Sequence, residues 1–315
     1  MSDHQRRDTQ GSSVPRGQVA DVPEFIPELV QDARAELGEG PVWDVVGGRV
    51  VWVDILGQRV HGFNPTDGTA VVMLKTPSHV GSVAPRAQGG LVLALVDGFW
   101  LLDPDATAPR PFRLVTTDGP ATRFNDGKVD AVGRFWAGTM AYDSRPSAGA
   151  LYRLAADGAV DTMLDKVTIS NGLAWSGDQR ILYYIDTPTR RIDAFDCDPV
   201  IGLTGRRRTV VQFGDDVTGS PDGMTIDAHG ALWVALWDGW AVHRYLPDGT
   251  LAAVVRMPVA RPTSCAFGGA DLQDLYITSA RSGLLAGDLA AQPAAGGLFR
   301  VRPGVAGRPS ASFSG

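Results

Sequence analysis

The stretch RFNDGKVDAVGRFWAGTM, Arg123 to Met140, has two halves of different character. The second half, GRFWAGTM, is a turn glycine followed by aromatic and apolar residues, and this pattern predicts a buried β-strand. The first half places a cation, an amide and a carboxylate (Arg123, Asn125 and Asp126) where folding alone requires only a turn. The polar half therefore needs an explanation beyond the local fold.

The strand in the second half recurs along the chain. Six strand-like segments, each centred on a large apolar residue, are spaced 41 to 50 residues apart. Their central residues are Trp52, Leu93, Trp136, Tyr183, Trp233 and Tyr276. Each is followed by a second apolar strand and a turn, often containing Asp-Gly, which indicates a hairpin. A repeat of this length, built from strands and without long amphipathic helices, is typical of propeller blades.

Six repeats predict an all-β fold, a six-bladed β-propeller, in a single domain. The alternative of two β-sandwiches does not explain why the period continues evenly through the middle of the chain. We expect residues 23–315 to form the propeller and the polar residues 1–22 to form a disordered N-terminal tail. The segment EFIPELVQ, residues 24–31, is expected to add an outer strand to the last blade and so close the ring.

The composition excludes several classes of protein. The chain has 315 residues, of which 44% are hydrophobic and 20% charged, and its net charge of -6 argues against nucleic acid as a partner. The sequence contains no apolar run of about 18 residues, as a membrane span requires, and we do not expect its first residues to act as a signal peptide. Cys197 and Cys265 are expected to be buried thiols. We therefore expect a cytoplasmic protein, monomeric by default, that acts on a small molecule.

A ring of oxygen-bearing side chains is predicted at one end of the propeller. Just upstream of each central residue lies a short strand that we assign to the innermost position of its blade. Inner strands run along the central channel, so the equivalent residues at their starts should form a ring. These equivalent residues are Glu39, Val80, Asn125, Asn171, Asp222 and Thr263. Four of the six carry carboxylate or amide oxygens, which predicts a metal site in the central channel.

The kind of metal follows from the atoms in this ring. Carboxylate and amide oxygens suit a hard ion such as Ca²⁺, whereas Zn²⁺ is a weaker fit because the ring lacks His and Cys. Each Asn-Gly or Asp-Gly taken alone is explained equally well as a turn. Glu39 is a poor turn former, however, and the coincidence of four such residues favours a metal site. His79 lies near the expected channel mouth, either as a packing element or as a substrate contact.

Several motifs together resemble the regucalcin, gluconolactonase and luciferin-regenerating-enzyme family. The resemblance covers residues from about Pro27 to the C-terminus. The motifs are GEGPVW, RFNDGKVD, GRFWAGTM, ISNGLAWS, YYIDT, DAFDCD, PDGMTID, LWVA and CAFGG. The resemblance implies a six-bladed propeller that holds one divalent metal ion in its channel and hydrolyses sugar lactones such as gluconolactone.

The resemblance also implies roles for individual residues. Glu39, Asn171 and Asp222 match the family's metal ligands. Arg123 and Asn125 match its substrate-contacting pair. A further position, Asp143, stands where the regucalcin branch has a glutamate that contacts the substrate, so the side chain here is one methylene shorter. Ca²⁺ is the expected ion, with Zn²⁺, Mn²⁺ and Mg²⁺ as alternatives.

The expected reaction is metal-assisted hydrolysis. The metal would polarise the lactone carbonyl, Asp222 would activate the attacking water, and Arg123, Asn125 and Asp143 would orient the sugar. Two other functions stay open from the sequence, because metal-centred propellers support several activities. One is a Ca²⁺-dependent phosphotriesterase or paraoxonase-like esterase. The other is a calcium-binding regulator without catalytic activity.

Overall fold

The first five predicted repeats each fold as four antiparallel strands and the sixth contributes three, and the resulting six sheets surround a central channel. The computed structural model describes residues 22–115 and 121–315. The prediction of a six-bladed β-propeller is confirmed. The expected tail, residues 1–22, lies outside the described residues except for Val22.

Two short strands, β1 (Glu24–Phe25) and β2 (Glu28–Gln31), precede the first blade. β2 pairs with the last strand of the chain, with Glu28 opposite Arg300, and so closes the ring as predicted. β1 was not predicted as a separate element. It runs parallel to the outer strand of the fifth blade, with Glu24 opposite Val254, and gives that blade a fifth strand.

The blades follow one another in chain order, and each repeat runs from the innermost strand of its blade outward, with β2 as the outermost strand of the sixth blade. The first two blades consist of β3 (Gly38–Asp44), β4 (Arg49–Asp54), β5 (Arg59–Phe63), β6 (Ala70–Lys75), β7 (Val80–Pro85), β8 (Leu91–Leu95), β9 (Gly98–Leu102) and β10 (Arg110–Leu114). The third and fourth blades consist of β11 (Thr122–Val129), β12 (Phe135–Ala141), β13 (Gly149–Leu154), β14 (Val160–Val167), β15 (Ser170–Trp175), β16 (Ile181–Asp186), β17 (Arg191–Asp198) and β18 (Gly202–Gln212).

The fifth and sixth blades complete the ring together with β1 and β2. Their further strands are β19 (Ser220–Ile226), β20 (Leu232–Trp237), β21 (Ala241–Tyr245), β22 (Leu251–Arg256), β23 (Pro262–Gly268), β24 (Asp274–Ser279) and β25 (Leu298–Val301). The described helices are short, a 3₁₀-helix at Thr187–Thr189 and α1 (Ala286–Ala291). Within the described ranges, no helix has the length and apolar character needed to cross a membrane.

The core of the protein lies between neighbouring blades. The apolar clusters of the described residues each join side chains from two adjacent blades. Between the third and fourth blades, for example, the rings of Trp136 and Trp175 meet edge to face, with centroids 5.6 Å apart. All six central residues of the sequence repeat are buried. The repeat in the sequence therefore arises because each blade contributes one equivalent large residue to the core. Cys197 and Cys265 are buried free thiols, as predicted.

The C-terminal segment crosses the end of the channel at which the inner strands finish. The backbone N–H of Ala228 donates to the carbonyl of Ala306, and the N–H of Phe313 donates to that of Pro85, both at 2.9 Å. The Phe313 side chain is fully buried between the second and third blades. This crossing was not predicted from the sequence. We call the opposite end, where the inner strands begin, the ring end.

Candidate functional site

The ring end is shaped by an irregularity near the start of every inner strand. The pairing of each inner strand with the second strand of its blade shifts register there. In β3 the shift falls between Glu39 and Val42, and in β19 it falls between Pro221 and Met224. Bulges of this kind bend a strand and redirect its side chains. They allow the ring residues to leave the regular alternation of the blade.

Glycines beside the ring residues allow neighbouring inner strands to approach each other closely. A Cβ atom at Gly172 would lie 2.8 Å from the backbone oxygen of Asp222, and one at Gly81 would lie 2.5 Å from that of Phe124. Both distances are too short for a side chain, so glycine is required. The Asn171-Gly172 pair thus belongs to strand β15 and is not a turn.

Asn171 and Asp222 are held together at the ring end. Both side chains are buried, as is that of Glu39. The Asn171 amide Nδ2 donates to Asp222 Oδ1 and, at 3.1 Å, to Thr187 Oγ1. Thr187 donates in turn to the carbonyl of Pro221 at 2.9 Å, which fixes the amide orientation. The other amide atom, Asn171 Oδ1, has no hydrogen-bond partner among the described residues. Thr187 is the last residue of the motif YYIDT, but its supporting contact was not predicted.

The negative charges of the carboxylates at the ring end are destabilised by burial and by mutual repulsion. Burial raises the pKa of Glu39 well above its usual range, and the charges of Asp222 and Asp126 add to the rise. Burial likewise raises the pKa of Asp222 well above its usual range, against the hydrogen bond from Asn171. Charged groups placed this way are stabilised by a nearby cation. Arg123 supplies one positive charge and opposes both rises.

The residues present fit a hard divalent cation. Glu39 and Asp222 would supply carboxylate oxygens, and the unpartnered Asn171 Oδ1 would supply a neutral oxygen, the donor types that Ca²⁺ prefers. In the part of the chain that the structure describes, no three or more His, Cys, Asp or Glu side chains gather in a metal-binding arrangement. The donor set is therefore two carboxylates and one amide, which suits Ca²⁺ better than Zn²⁺.

Arg123 and Asn125 form a bonded pair beside these three residues. Arg123 Nη1 donates to Asn125 Oδ1 at 2.7 Å and to the carbonyl of Phe124 at 3.0 Å. Asn125 Nδ2 donates across the blades to the carbonyl of Ser170 at 2.8 Å. Asn125 Oδ1 thus accepts a hydrogen bond from a guanidinium, whereas Asn171 Oδ1 has no partner among the described residues. Both residues of the pair are buried.

Asp126 and Lys128 lie on the same inner strand, further into the channel. Asp126 Oδ1 accepts from the backbone N–H of Gly127 at 2.7 Å, and its Oδ2 has no partner within the described ranges. Lys128 Nζ donates to the carbonyl of Met224 at 2.7 Å. Both side chains line a cavity that reaches the C-terminal crossing at Arg308. Asp126, which the sequence left without a role, is thus a third buried carboxylate near the ring.

The rim of the ring end carries the remaining candidate residues. Asp143 follows β12 and is exposed, with 54% of its side chain accessible, and Arg145 Nη2 donates to its Oδ2 at 3.0 Å. His79 immediately precedes β7, and its Nδ1 lies 2.8 Å from the Tyr142 hydroxyl. The substrate roles expected for Asp143 and His79 stay predictions. Tyr142 was not singled out, because nothing in the sequence shows which way a loop side chain turns.

The family is established by sequence. A profile of the SMP-30/Gluconolactonase/LRE-like region matches residues 37–281. The chain belongs to this family. Its fold and its ring of carboxylate and amide side chains agree with the resemblance noted from the motifs.

Individual relatives in this family are similar over most of their length. Regucalcin from Danio rerio is 43% identical over 294 residues, which cover 91% of this chain and 98% of that protein. The 6-deoxy-6-sulfogluconolactonase from Pseudomonas putida is 39% identical and covers 89% of this chain and 95% of its own. The crystal structure of the calcium-binding protein regucalcin from Agrobacterium tumefaciens superposes with a TM-score of 0.88 at 30% identity, covering 94% of this chain and 99% of that one. The family assignment supports lactone hydrolysis.

Proposed function

We propose that the protein hydrolyses a sugar lactone, such as gluconolactone, to the aldonic acid. In this proposal Glu39, Asn171 and Asp222 hold one divalent cation, Ca²⁺ in preference to Zn²⁺, Mn²⁺ or Mg²⁺. The observation that carries the proposal is Asn171 Oδ1, a buried acceptor without a described partner beside two buried carboxylates. Native proteins rarely leave such an atom unpaired unless a ligand uses it. The proposal includes the cytoplasmic location and the monomeric state expected from the sequence.

The chemistry assigned to the chain is general-base hydrolysis. A bound divalent cation would supply Lewis-acid stabilisation of the negative charge that develops on the carbonyl oxygen. Asp222 would accept a proton from the attacking water, whose oxygen bonds to the carbonyl carbon. The C–O bond of the lactone ring then breaks, and the ring oxygen takes up the proton held by Asp222 and leaves as a hydroxyl group. Asp222 is buried at the ring end, and a positioned carboxylate can act as a general base, either directly or through a water molecule.

The substrate would be oriented by side chains at the ring end. The bond between Arg123 and Asn125 holds both polar groups in one arrangement, suited to adjacent sugar hydroxyls. Asp143 would reach the sugar only by leaving Arg145. Their ion pair is exposed, and such pairs contribute little because water screens them, so the exchange is energetically accessible.

The experiment is a substrate panel assayed with and without a chelator. Aldonolactones and organophosphate triesters are given to the purified protein, to Glu39→Gln, and to the matched control Glu36→Gln, whose side chain is exposed. We expect the protein to hydrolyse lactones and the chelator to abolish this activity. Glu39→Gln should lose the activity, and Glu36→Gln should retain it. Faster turnover of the triesters would instead assign an esterase of the phosphotriesterase kind. Calcium binding without turnover of either class would assign a regulator.

A further inference from the structure

Tyr142 and Asp143 are neighbours in sequence but make contacts in different directions. The Asp143 carboxylate accepts two hydrogen bonds from Arg145, one from its backbone N–H at 3.1 Å and one from its guanidinium at 3.0 Å. The Tyr142 hydroxyl instead lies 2.8 Å from Nδ1 of His79, 63 positions earlier in the chain. Of the two residues, Tyr142 is therefore the one that reaches across the rim to another blade.

The His79–Tyr142 pair joins the rims of the second and third blades. His79 precedes β7 and Tyr142 follows β12, and their ring centroids lie 5.7 Å apart with an angle of 53° between the planes. The backbone N–H of Tyr142 donates to the carbonyl of Ala121 at 3.2 Å, which anchors the tyrosine beside the start of β11. Both rings are thus fixed next to the strand that carries Arg123 and Asn125.

The pair also lies within electrostatic reach of Arg123. Burial lowers the pKa of His79, and the guanidinium charge lowers it further; burial raises the pKa of Tyr142, and the same charge opposes that rise. Arg123 is 7% exposed, whereas Tyr142 is 46% exposed. Coulomb interactions weaken with distance, so both effects indicate that the partly exposed pair borders the buried guanidinium.

We propose that His79 and Tyr142 form the outer wall of the substrate site and that the Tyr142 hydroxyl selects among lactones by hydrogen bonding to a sugar hydroxyl. The inference rests on the proposed lactonase function. A tyrosine suits this task because its ring packs against the C–H face of a sugar while its hydroxyl remains available as donor and acceptor. The pair carries no charge at neutral pH, so it fits an uncharged polyol lactone.

Tyr142→Phe tests the proposal because it keeps the ring and removes only the hydroxyl. The kinetics of a lactone panel are measured together with the dissociation constant for Ca²⁺ by calorimetry. We expect KM to rise roughly three- to tenfold for lactones that carry the recognised hydroxyl, the size of one lost hydrogen bond. For deoxy analogues that lack this hydroxyl, KM should stay within about twofold, as should kcat and the Ca²⁺ dissociation constant for the whole panel.

Four further variants make the result specific. Tyr152→Phe, the same change on a β13 residue that packs against Phe124 inside the third blade, should leave the panel unchanged. His79→Leu should resemble Tyr142→Phe, and the double variant should be no worse than either single one, since the two residues act as a unit. If Asp143→Asn altered the substrate ratios and Tyr142→Phe did not, the proposed wall would be wrong.

The same data separate this inference from the proposed function. A wild-type protein that hydrolysed no lactone would contradict the lactonase proposal and the inference with it. If the wild-type protein hydrolysed lactones and the relative KM values across the panel were unchanged in Tyr142→Phe, only the inference about His79 and Tyr142 would be contradicted.

Discussion

Asp222 and Asp227 lie at opposite ends of the same inner strand and are both buried, yet their surroundings differ. Asp227 is satisfied by four donors: His229 N at 2.9 Å, Ala231 N at 3.0 Å, Trp233 Nε1 at 3.1 Å and Arg244 Nε at 2.8 Å. Asp222 accepts from the Asn171 amide and from the backbone N–H of Gly223, and it lies near the carboxylates of Glu39 and Asp126. The buried charge of Asp227 is thus compensated by its hydrogen-bond donors, whereas that of Asp222 is not fully compensated.

The same difference recurs on the inner strand of the third blade. At the far end Asp130 accepts from Arg134 Nε at 2.7 Å and from Trp136 Nε1 at 2.8 Å. Nearer the ring end, Asp126 Oδ2 lacks a partner in the described part of the chain. Burying a charge costs free energy unless partners compensate it. Burial alone therefore does not mark a functional carboxylate, but burial without compensation does.

The largest effect is expected from Asp222→Asn. This change removes the base while keeping an oxygen ligand, so kcat should fall by roughly 10²–10⁴-fold. The melting temperature of the metal-free protein should hold or rise, because one of the mutually repelling buried charges is gone. Steady-state kinetics at saturating metal and thermal unfolding in chelator measure the two effects.

Asn171→Asp serves as the control for this variant. It adds charge to the ring without removing the base, so metal binding should hold or tighten and catalysis should suffer less. Hydrolysis by metal-saturated Asp222→Asn at nearly the wild-type rate would show that Asp222 is not the base.

At the opposite end of the strand, the substitution of Asp227 should lower the free energy of unfolding. Asp227→Asn leaves the largely buried Arg244 without its charged partner, which costs about 3–5 kcal/mol of unfolding free energy. Denaturant titration measures this loss. The control is Asp238→Asn, which breaks a more exposed pair with Arg261 and should cost about 0–1 kcal/mol. Equal losses in the two variants would remove the distinction between the ends of the strand.

A further effect is expected on the pH dependence of stability. Burial lowers the pKa of both His61 and His243 from 6.5 to about 4. A histidine whose pKa is lower in the folded state favours the neutral form, so its contribution is present above pH 6.5 and is lost as the pH falls toward 4. The slope is up to about 1.4 kcal/mol per pH unit for each histidine.

Unfolding free energies measured between pH 7 and pH 4 test this assignment. His61→Phe keeps a ring stacked on Trp52 and should flatten the decline, whereas the exposed-site control His229→Gln should leave it unchanged. An equally steep decline in His61→Phe would show that protonation of His61 does not limit stability in acid.

The sequence predicted features that repeat and missed features that occur once. The central residues, such as Trp136 and Trp233, recur because each blade needs the same core contact, so a single chain shows the period. Glu39 could be recognised because a glutamate is unusual in a turn and because the propeller fold places its position at the channel. The two-residue strand β1 and the C-terminal crossing have no such repeat. Their positions depend on tertiary contacts, which local sequence patterns do not contain.

The candidate site was predicted only in part for the same reason. Glu39, Asn171 and Asp222 stand with Asn125 at one equivalent position, so alignment of the repeats singled out all four, and the family resemblance assigned the metal to the first three. The contacts of Asn125 with Arg123 and of Tyr142 with His79 are set by side-chain direction and by the path of a loop. These geometric details decide which polar atoms remain available to a ligand, and no spacing in the sequence encodes them.

The central claim is that the uncompensated end of the strands binds a divalent cation needed for hydrolysis. The most direct measurement titrates Ca²⁺ into chelator-treated protein and follows gluconolactone hydrolysis in the same samples. We predict one ion per chain, a rate that rises in proportion to occupancy, and weakened binding in Glu39→Gln and Asp222→Asn. Full hydrolysis by the metal-free protein, or undiminished Ca²⁺ binding in both variants, would contradict the claim.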